Sequence, residues 1–253
     1  MADLPPIEQV SEDYPAHLAR LKQDYEQATG TYPLPAHPET FLLEQLAYEL
    51  NLARQLINHE SRQNLLAEAK AERLDYLGDL LTTPRLPAQP ALTQLQFELS
   101  PAHPGLTIPV GTQVRAADGK TLFATTRAET VLAGQTQAVV TAACTETGLA
   151  GNGFTAGEVN HLPRQAEHII RAQNLIVTAG GSEPEGDENY RARIRLAPGQ
   201  YSTAGSRESY IYHTRSAHPD IVDADCWRGE PGEVHIAAML RSGQVPDAPM
   251  LEL

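Results

Sequence analysis

The stretch Thr83-Pro84-Arg85-Leu86-Pro87-Ala88-Gln89-Pro90 constrains this chain more than any other. Its three prolines at spacing three fix φ and remove backbone donors, so the segment is extended and stiff. The hydrophobic period differs on its two sides. Before it, apolar side chains recur at helical spacing; after it, they alternate. A change of period from 3.6 to 2 across a stiff connector predicts helices first and sheet second. The proline spacing would also suit an SH3-type ligand, but the change of period favours a spacer between domains.

On the helical side, Leu18, Leu21 and Tyr25 predict a helix over 14–29, with Pro15 in its first turn and Gly30 as its stop. A proline-punctuated link, Thr31-Tyr32-Pro33-Leu34-Pro35-Ala36-His37-Pro38, follows. Residues 39–77 contain neither proline nor glycine. Leu43, Leu46, Ala47, Leu50, Ala53 and Ile57 form one apolar face there, and Leu65, Leu66, Ala69, Leu74, Leu77, Leu80 and Leu81 form a second set. A break is expected at Asn58-His59-Glu60-Ser61, because Asn and Ser compete for backbone hydrogen bonds. Two or three helices in a hairpin or small bundle result.

On the sheet side, Thr93, Leu95, Phe97 and Leu99 point one way and Gln94, Gln96 and Glu98 the other. Ile108-Pro109-Val110-Gly111-Thr112 reads as a turn into a strand through Val114. Asp118-Gly119 signals a hairpin between Val114-Arg115 and Leu122-Phe123. Short strands are expected at 138–142, 169–170 and 175–178, with a tight loop at Gly148, Gly151 and Gly153. The pattern is that of a small antiparallel sandwich or barrel.

After Gly180-Gly181, Asp187 is placed to cap a helix carrying Tyr190, Ile194 and Leu196. A second helix over 206–216 would turn Tyr210 and Ile211 inward, and strands follow at 221–227 and 233–240. Asp247-Ala248-Pro249-Met250-Leu251-Glu252-Leu253 starts a helix and stops within two turns, so an incomplete C-terminal part is expected. The reading is an α+β chain: a helical region 1–83, a Pro-rich linker 84–92, a β domain 93–180, and an incomplete α+β domain 181–253.

Composition narrows the function. A net charge of −13, with Lys and Arg scattered, argues against nucleic acid. No apolar run approaches a membrane span, and the start Met1-Ala2-Asp3-Leu4-Pro5-Pro6 shows no secretory signal. The two cysteines, Cys144 and Cys226, read as small buried residues in a reducing compartment.

No catalytic, cofactor or metal residue emerges. Glu183, Glu185, Asp187 and Glu188 lack the spacing of an EF-hand, and reading them as a glycosidase pair would require a protected cleft. They read as a solvated loop running into a helix. His213 and His218, five apart, share no helical face, and His161 and His168 have no partner at a zinc spacing, so all are taken as surface or loop histidines. Gly148-Leu149-Ala150-Gly151-Asn152-Gly153 lacks the Lys-Ser/Thr of a phosphate cradle. No serine sits in a nucleophile elbow. The chain reads as a non-enzyme.

Several motifs in order resemble the baseplate J family of contractile phage tails and related injection devices, from about residue 37 onward. His37-Pro38-Glu39-Thr40 with Asn58 looks like the family's N-terminal entry. Leu65-Leu66-Ala67-Glu68-Ala69 and Leu74-Asp75-Tyr76-Leu77-Gly78 look like its next segment, although Ala71-Glu72-Arg73 replaces the usual glycine. Arg85 falls where the family carries an arginine. Ile108-Pro109-Val110-Gly111-Thr112-Gln113-Val114 with Phe123-Ala124-Thr125 is similar to its IPxGTxV and FxT pattern, and Gly148-Leu149-Ala150-Gly151-Asn152 to its glycine-asparagine turn. Most specific is Gly180-Gly181-Ser182-Glu183-Pro184-Glu185-Gly186-Asp187-Glu188 with Tyr190-Arg191-Ala192-Arg193-Ile194, which resembles the GGxdxESDexxRxRI signature with Gly186 in place of Ser. Ser202-Thr203-Ala204-Gly205-Ser206 and Tyr210 fit its continuation.

The resemblance implies a structural wedge subunit with no catalytic group. It would join wedges into a ring around the central spike and tube and rearrange when the tail is triggered. Its partners would be other wedge proteins, copies of itself, the spike or hub, and sheath and tube components. It would need no cofactor, small-molecule ligand, membrane or nucleic acid, and would be assembled in the bacterial cytoplasm into the baseplate of a virion or injection particle. The alternative is a carbohydrate-binding or glycan-active tail protein, which one Trp and four Phe supply poorly.

Overall fold

The computed structural model describes residues 7–164, 167–202 and 205–246. The chain divides into two compact units, Met1–Leu80 and Leu81–Leu253. The expected helix start at Asp247, the reading of residues 1–6 and the motif residues Thr203 and Ala204 lie outside the described residues. Among the described residues no helix is long and apolar enough to cross a membrane.

In the first unit, α1 spans Tyr14–Thr29 as the spacing predicts. The Asp13 side chain accepts from the Ala16 N–H, and Gly30, at φ 73°, closes the last turn onto Glu26 O. Helix α2 spans Pro38–Arg62 and packs against α1, and α3 spans Ala71–Asp79. The break expected at Asn58-His59-Glu60-Ser61 is absent. Asn58 is buried, and its side-chain oxygen accepts from the Gln9 and Val10 N–H groups while its amide donates to Val10 O and Glu12. An amide engaged by a distant segment does not compete for its own backbone, so the helix continues for another turn. The expected packing face also differs. Of its members only Ala47 is buried, and the buried positions of α2 are Thr40, Ala47 and Asn58. Leu46, Leu50 and Ile57 are exposed.

The second unit opens with eight strands: β1 (Pro90–Leu99), β2 (Leu106–Ile108), β3 (Gln113–Ala116), β4 (Leu122–Thr125), β5 (Glu129–Val131), β6 (Gln137–Thr147), β7 (Val159–His161) and β8 (Ile169–Asn174). Six form an antiparallel sheet in the order β7-β3-β4-β6-β1-β8, and β2 pairs with β5. The two sheet edges meet at Asn174. Its side-chain oxygen accepts from the Val159 N–H (2.9 Å) and its carbonyl from the Gly157 N–H (2.9 Å), so the sheet is a nearly closed barrel. Alternation along β1 places Ala91, Thr93, Leu95, Phe97 and Leu99 inside. They pack with Val114, Phe123, Val140 and Val159, and Phe154 meets Phe123 edge to face.

The strand expected at 175–178 does not form. The Asn174 amide and the Thr93 hydroxyl both donate to Ile176 O, which draws this stretch out of the ladder until Ala179 bridges back to Leu92. Strands β2, β5 and β7, three residues each, go beyond the expected strands.

The remainder is mixed: α4 (Asp187–Leu196), one 3-10 turn (Ala197–Tyr201), α5 (Arg207–Ala217) and an antiparallel hairpin of β9 (Ile221–Arg228) and β10 (Val234–Leu240), with α5 packed on β9. Asp187 is not the cap of α4; Gly186 takes that position and offers no side chain. On α5 the buried residues are Ser209, Tyr212 and Arg215, while Tyr210 and Ile211 are half-buried, a shift of the inward face by about one position. The fold is α+β: N-terminal helices, a nearly closed antiparallel barrel, then a mixed α/β region. Both cysteines are buried free thiols, and burial pushes the Cys144 thiol up from its ordinary value.

Candidate functional site

A buried polar cluster of the second unit forms where the proline segment meets α4. The polypeptide from Gln89 back to Thr83 runs along residues 182–193. Gln89 and Ser182 exchange backbone hydrogen bonds, and the Leu86 carbonyl accepts one from the Glu185 N–H. The segment read as a stiff spacer between domains is held along its length by these contacts.

At its centre lie Glu185 and Arg193, whose side chains are 0% and 2% exposed. Arg193 Nε reaches Glu185 Oε1 at 3.0 Å and Nη2 reaches Oε2 at 2.6 Å, a two-pronged pairing that matches the planar guanidinium to the carboxylate. Arg193 Nη2 also donates to Pro84 O, and the Leu86 N–H donates to Glu185 Oε2 at 3.1 Å. Arg85 donates to Glu185 O, pairs with Asp187 at 2.8 Å, and sits 4.6 Å over the Tyr190 ring. The Tyr190 hydroxyl donates to Thr83 O at 2.7 Å, and the Thr83 hydroxyl meets that of Tyr212.

A second knot adjoins the first. The Asn152 amide donates to Gly181 O at 2.7 Å, and the Gly181 N–H donates back to Asn152 Oδ1 at 2.8 Å. A Cβ on Gly181 would lie 2.4 Å from Gly148 O, so only glycine permits this approach. The glycine-asparagine turn and the double glycine, about thirty residues apart in sequence, are thus one structural feature.

This arrangement favours immobilisation over chemistry. The carboxylate of Glu185 is fully engaged by the Arg193 guanidinium and the Leu86 N–H. The loop reading of the acidic cluster is corrected at this residue: Glu183 and Glu188 are exposed, Asp187 is half-buried, and Glu185 is in the interior. Glu185 precedes the N-cap Gly186 and Arg193 lies in the last turn of α4, so their eight-residue spacing alone carried no sign of the pairing or of its burial.

The histidines divide. His161 and His213 are exposed and His168 half-buried. His218 is buried, its Nδ1 accepting from the Asp220 N–H and its Nε2 meeting Gly180 O. His103 is buried likewise, against Gln135 O and the Gly105 N–H. Of the surface-or-loop reading, His218 keeps only the loop part: it is a buried loop residue whose two ring nitrogens are satisfied by backbone groups. Among the described residues no group of His, Cys, Asp and Glu is disposed to hold a metal ion. In the β3–β4 turn, the Thr121 hydroxyl and the Lys120 N–H hold the Asp118 carboxyl below its usual range.

Comparison with known families matches residues 36–91 to the Baseplate J-like N-terminal domain and residues 94–181 to the Baseplate J-like protein barrel domain. Among solved structures, the chain is similar to one in the cryo-EM structure of the anti-feeding prophage (AFP) baseplate, 6-fold symmetrised, with 12% sequence identity and a TM-score of 0.43. That match covers 90% of this chain and 63% of the other, so this chain spans less than two thirds of its length. No curated protein matches the sequence.

Proposed function

The chain belongs to the baseplate J-like family, whose N-terminal and barrel domains it carries in succession, and from that premise we propose that it is a wedge subunit of a contractile tail or injection-system baseplate. A structural part in a baseplate, in contact with other baseplate proteins, is what the family implies. The finer reading is that it joins wedges into the ring around the central spike and tube, contacts copies of itself and sheath components, and moves as a rigid body when the device is triggered. Its place is the baseplate of the assembled particle, built in the bacterial cytoplasm. It works without catalysis, cofactor or small-molecule ligand.

The succession of the two family domains carries this reading. Helix α2 supports it by offering a contact surface. Phe41, Leu42 and Leu56 are 71%, 66% and 58% exposed, and Leu46, Leu50 and Ile57 extend the same outer face. An apolar area of this kind on a charged chain marks a place where another protein sits. A ring also requires two different faces per subunit, and the helical unit supplies one of them in this proposal.

The test is co-expression with the proteins encoded beside it, followed by negative-stain imaging. Wedge-shaped particles or rings are expected, and Leu46→Glu with Leu56→Glu should abolish them while the chain stays folded. A native chain that remains monomeric beside its neighbours and hydrolyses a glycan would overturn the assignment.

A further inference from the structure

A groove beside the start of α4 is lined by a buried cation that, among the described residues, has no carboxylate within ion-pair distance. Arg215, on α5, is 8% exposed, and its Nε has no hydrogen-bond partner. Its Nη2 donates to the Asn189 side-chain oxygen, a neutral acceptor. Among the described residues no carboxylate forms an ion pair with it; Asp223 and Glu185 favour its charge only through space, and Arg193 opposes it. Burial works against the charge and lowers the pKa of the guanidinium. A guanidinium removed from water without an ionic partner is costly, and such groups normally receive one.

The surroundings specify what that partner would be. Arg215 lines an open groove with the first turn of α4 (Gly186, Asp187, Glu188 and Asn189), Val222 of β9 and Arg241 beyond β10. Gly186 leaves α4 without a side-chain cap, so the helix start presents its positive end there. Two carboxylates line the same groove, and both are engaged: Asp187 by Arg85 and Glu188 by Arg191. Arg241 is half-exposed and pairs with Asp220 at 3.7 Å, longer than a hydrogen bond.

We propose that this groove is a binding site for one oxyanion, a carboxylate or phosphate group, gripped by Arg215 and Arg241 at the N-terminus of α4. The same chemistry could arrive as a free ion or as an acidic side chain of a neighbouring protein. The inference does not depend on the baseplate role, since it concerns only groups within residues 186–241.

Backbone-amide NMR of the intact chain, titrated separately with inorganic phosphate, acetate and a short glutamate-containing peptide, tests it. Saturable shifts at Gly186, Glu188, Asn189 and Arg215 are expected. A response to phosphate or acetate alone identifies a free-ion site, and a stronger response to the peptide identifies a protein carboxylate. Arg215→Met should weaken binding about tenfold, the loss of one charged hydrogen bond. Should that variant fold poorly, Arg241→Gln, on a half-exposed side chain, should weaken binding several-fold, with Arg195→Gln as an unaffected control. Absence of saturable shifts with all three probes overturns the site, as does equal affinity in native and Arg241→Gln protein.

Discussion

In the barrel, Leu95, Phe97, Val114, Phe123 and Val140 are wholly withdrawn from water, whereas on α2 Phe41, Leu42, Leu56 and Ile57 keep half or more of their surface exposed. Both regions are rich in apolar residues, so composition does not separate them. Geometry does. A sheet that nearly closes directs every second side chain into one shared interior. A pair of helices has a single seam, and α2 is apolar on more of its circumference than α1 can cover. The barrel and its junction are therefore self-sufficient, while the outer face of α2 contributes little until something is laid upon it.

This contrast can be broken at three levels. The largest effect is expected at the junction. Glu185→Ala should destabilise the second unit by about 3–5 kcal/mol, because Arg193 would be left buried and uncompensated. Urea unfolding followed by fluorescence of Trp227, the single tryptophan, measures it. Glu185→Met combined with Arg193→Met should be much milder, since it removes both charges together.

An intermediate effect is expected where the helical unit does have an interior. Asn58→Ala should lose about 1–3 kcal/mol and part of the helical circular dichroism, as the Gln9 and Val10 N–H groups lose their acceptor. The smallest is expected on the open face. Leu56→Ala in the isolated chain should change stability by less than about 0.5 kcal/mol. A loss of about 3 kcal/mol there, typical of a leucine truncated in a core, would mean that the face is already covered and the contrast false.

Local signals were read correctly where the contacts that decide them are local. Pro15 and Gly30 bound α1, and Asp118-Gly119 turns the β3–β4 hairpin, with the Asp118 carboxyl accepting from the Lys120 and Thr121 N–H groups. The family signature was also legible as a string of residues. Its physical content was not: that string gave no sign that Glu185 leaves the loop for the interior, that Gly181 touches Gly148, or that the proline segment is bonded to α4. Nor did periodicity identify the inward residue of α5, where Tyr212 meets the Thr83 hydroxyl.

What the amino-acid order determined alone was the α+β succession, the change of period at the prolines, the capped first helix and the alternating core of β1, because each depends on neighbours within a few residues. Tertiary structure decided the rest: the unbroken course of α2 through Asn58, the departure of residues 175–178 from the ladder, the burial of Glu185 and the burial of Arg215 against the neutral Asn189 side chain. These depend on partners far away in the chain, such as Pro84 for Arg193, 109 residues distant, or Val10 for Asn58, 48 residues distant. A polar side chain is buried or solvated according to whether such a partner arrives, and no local pattern encodes that arrival.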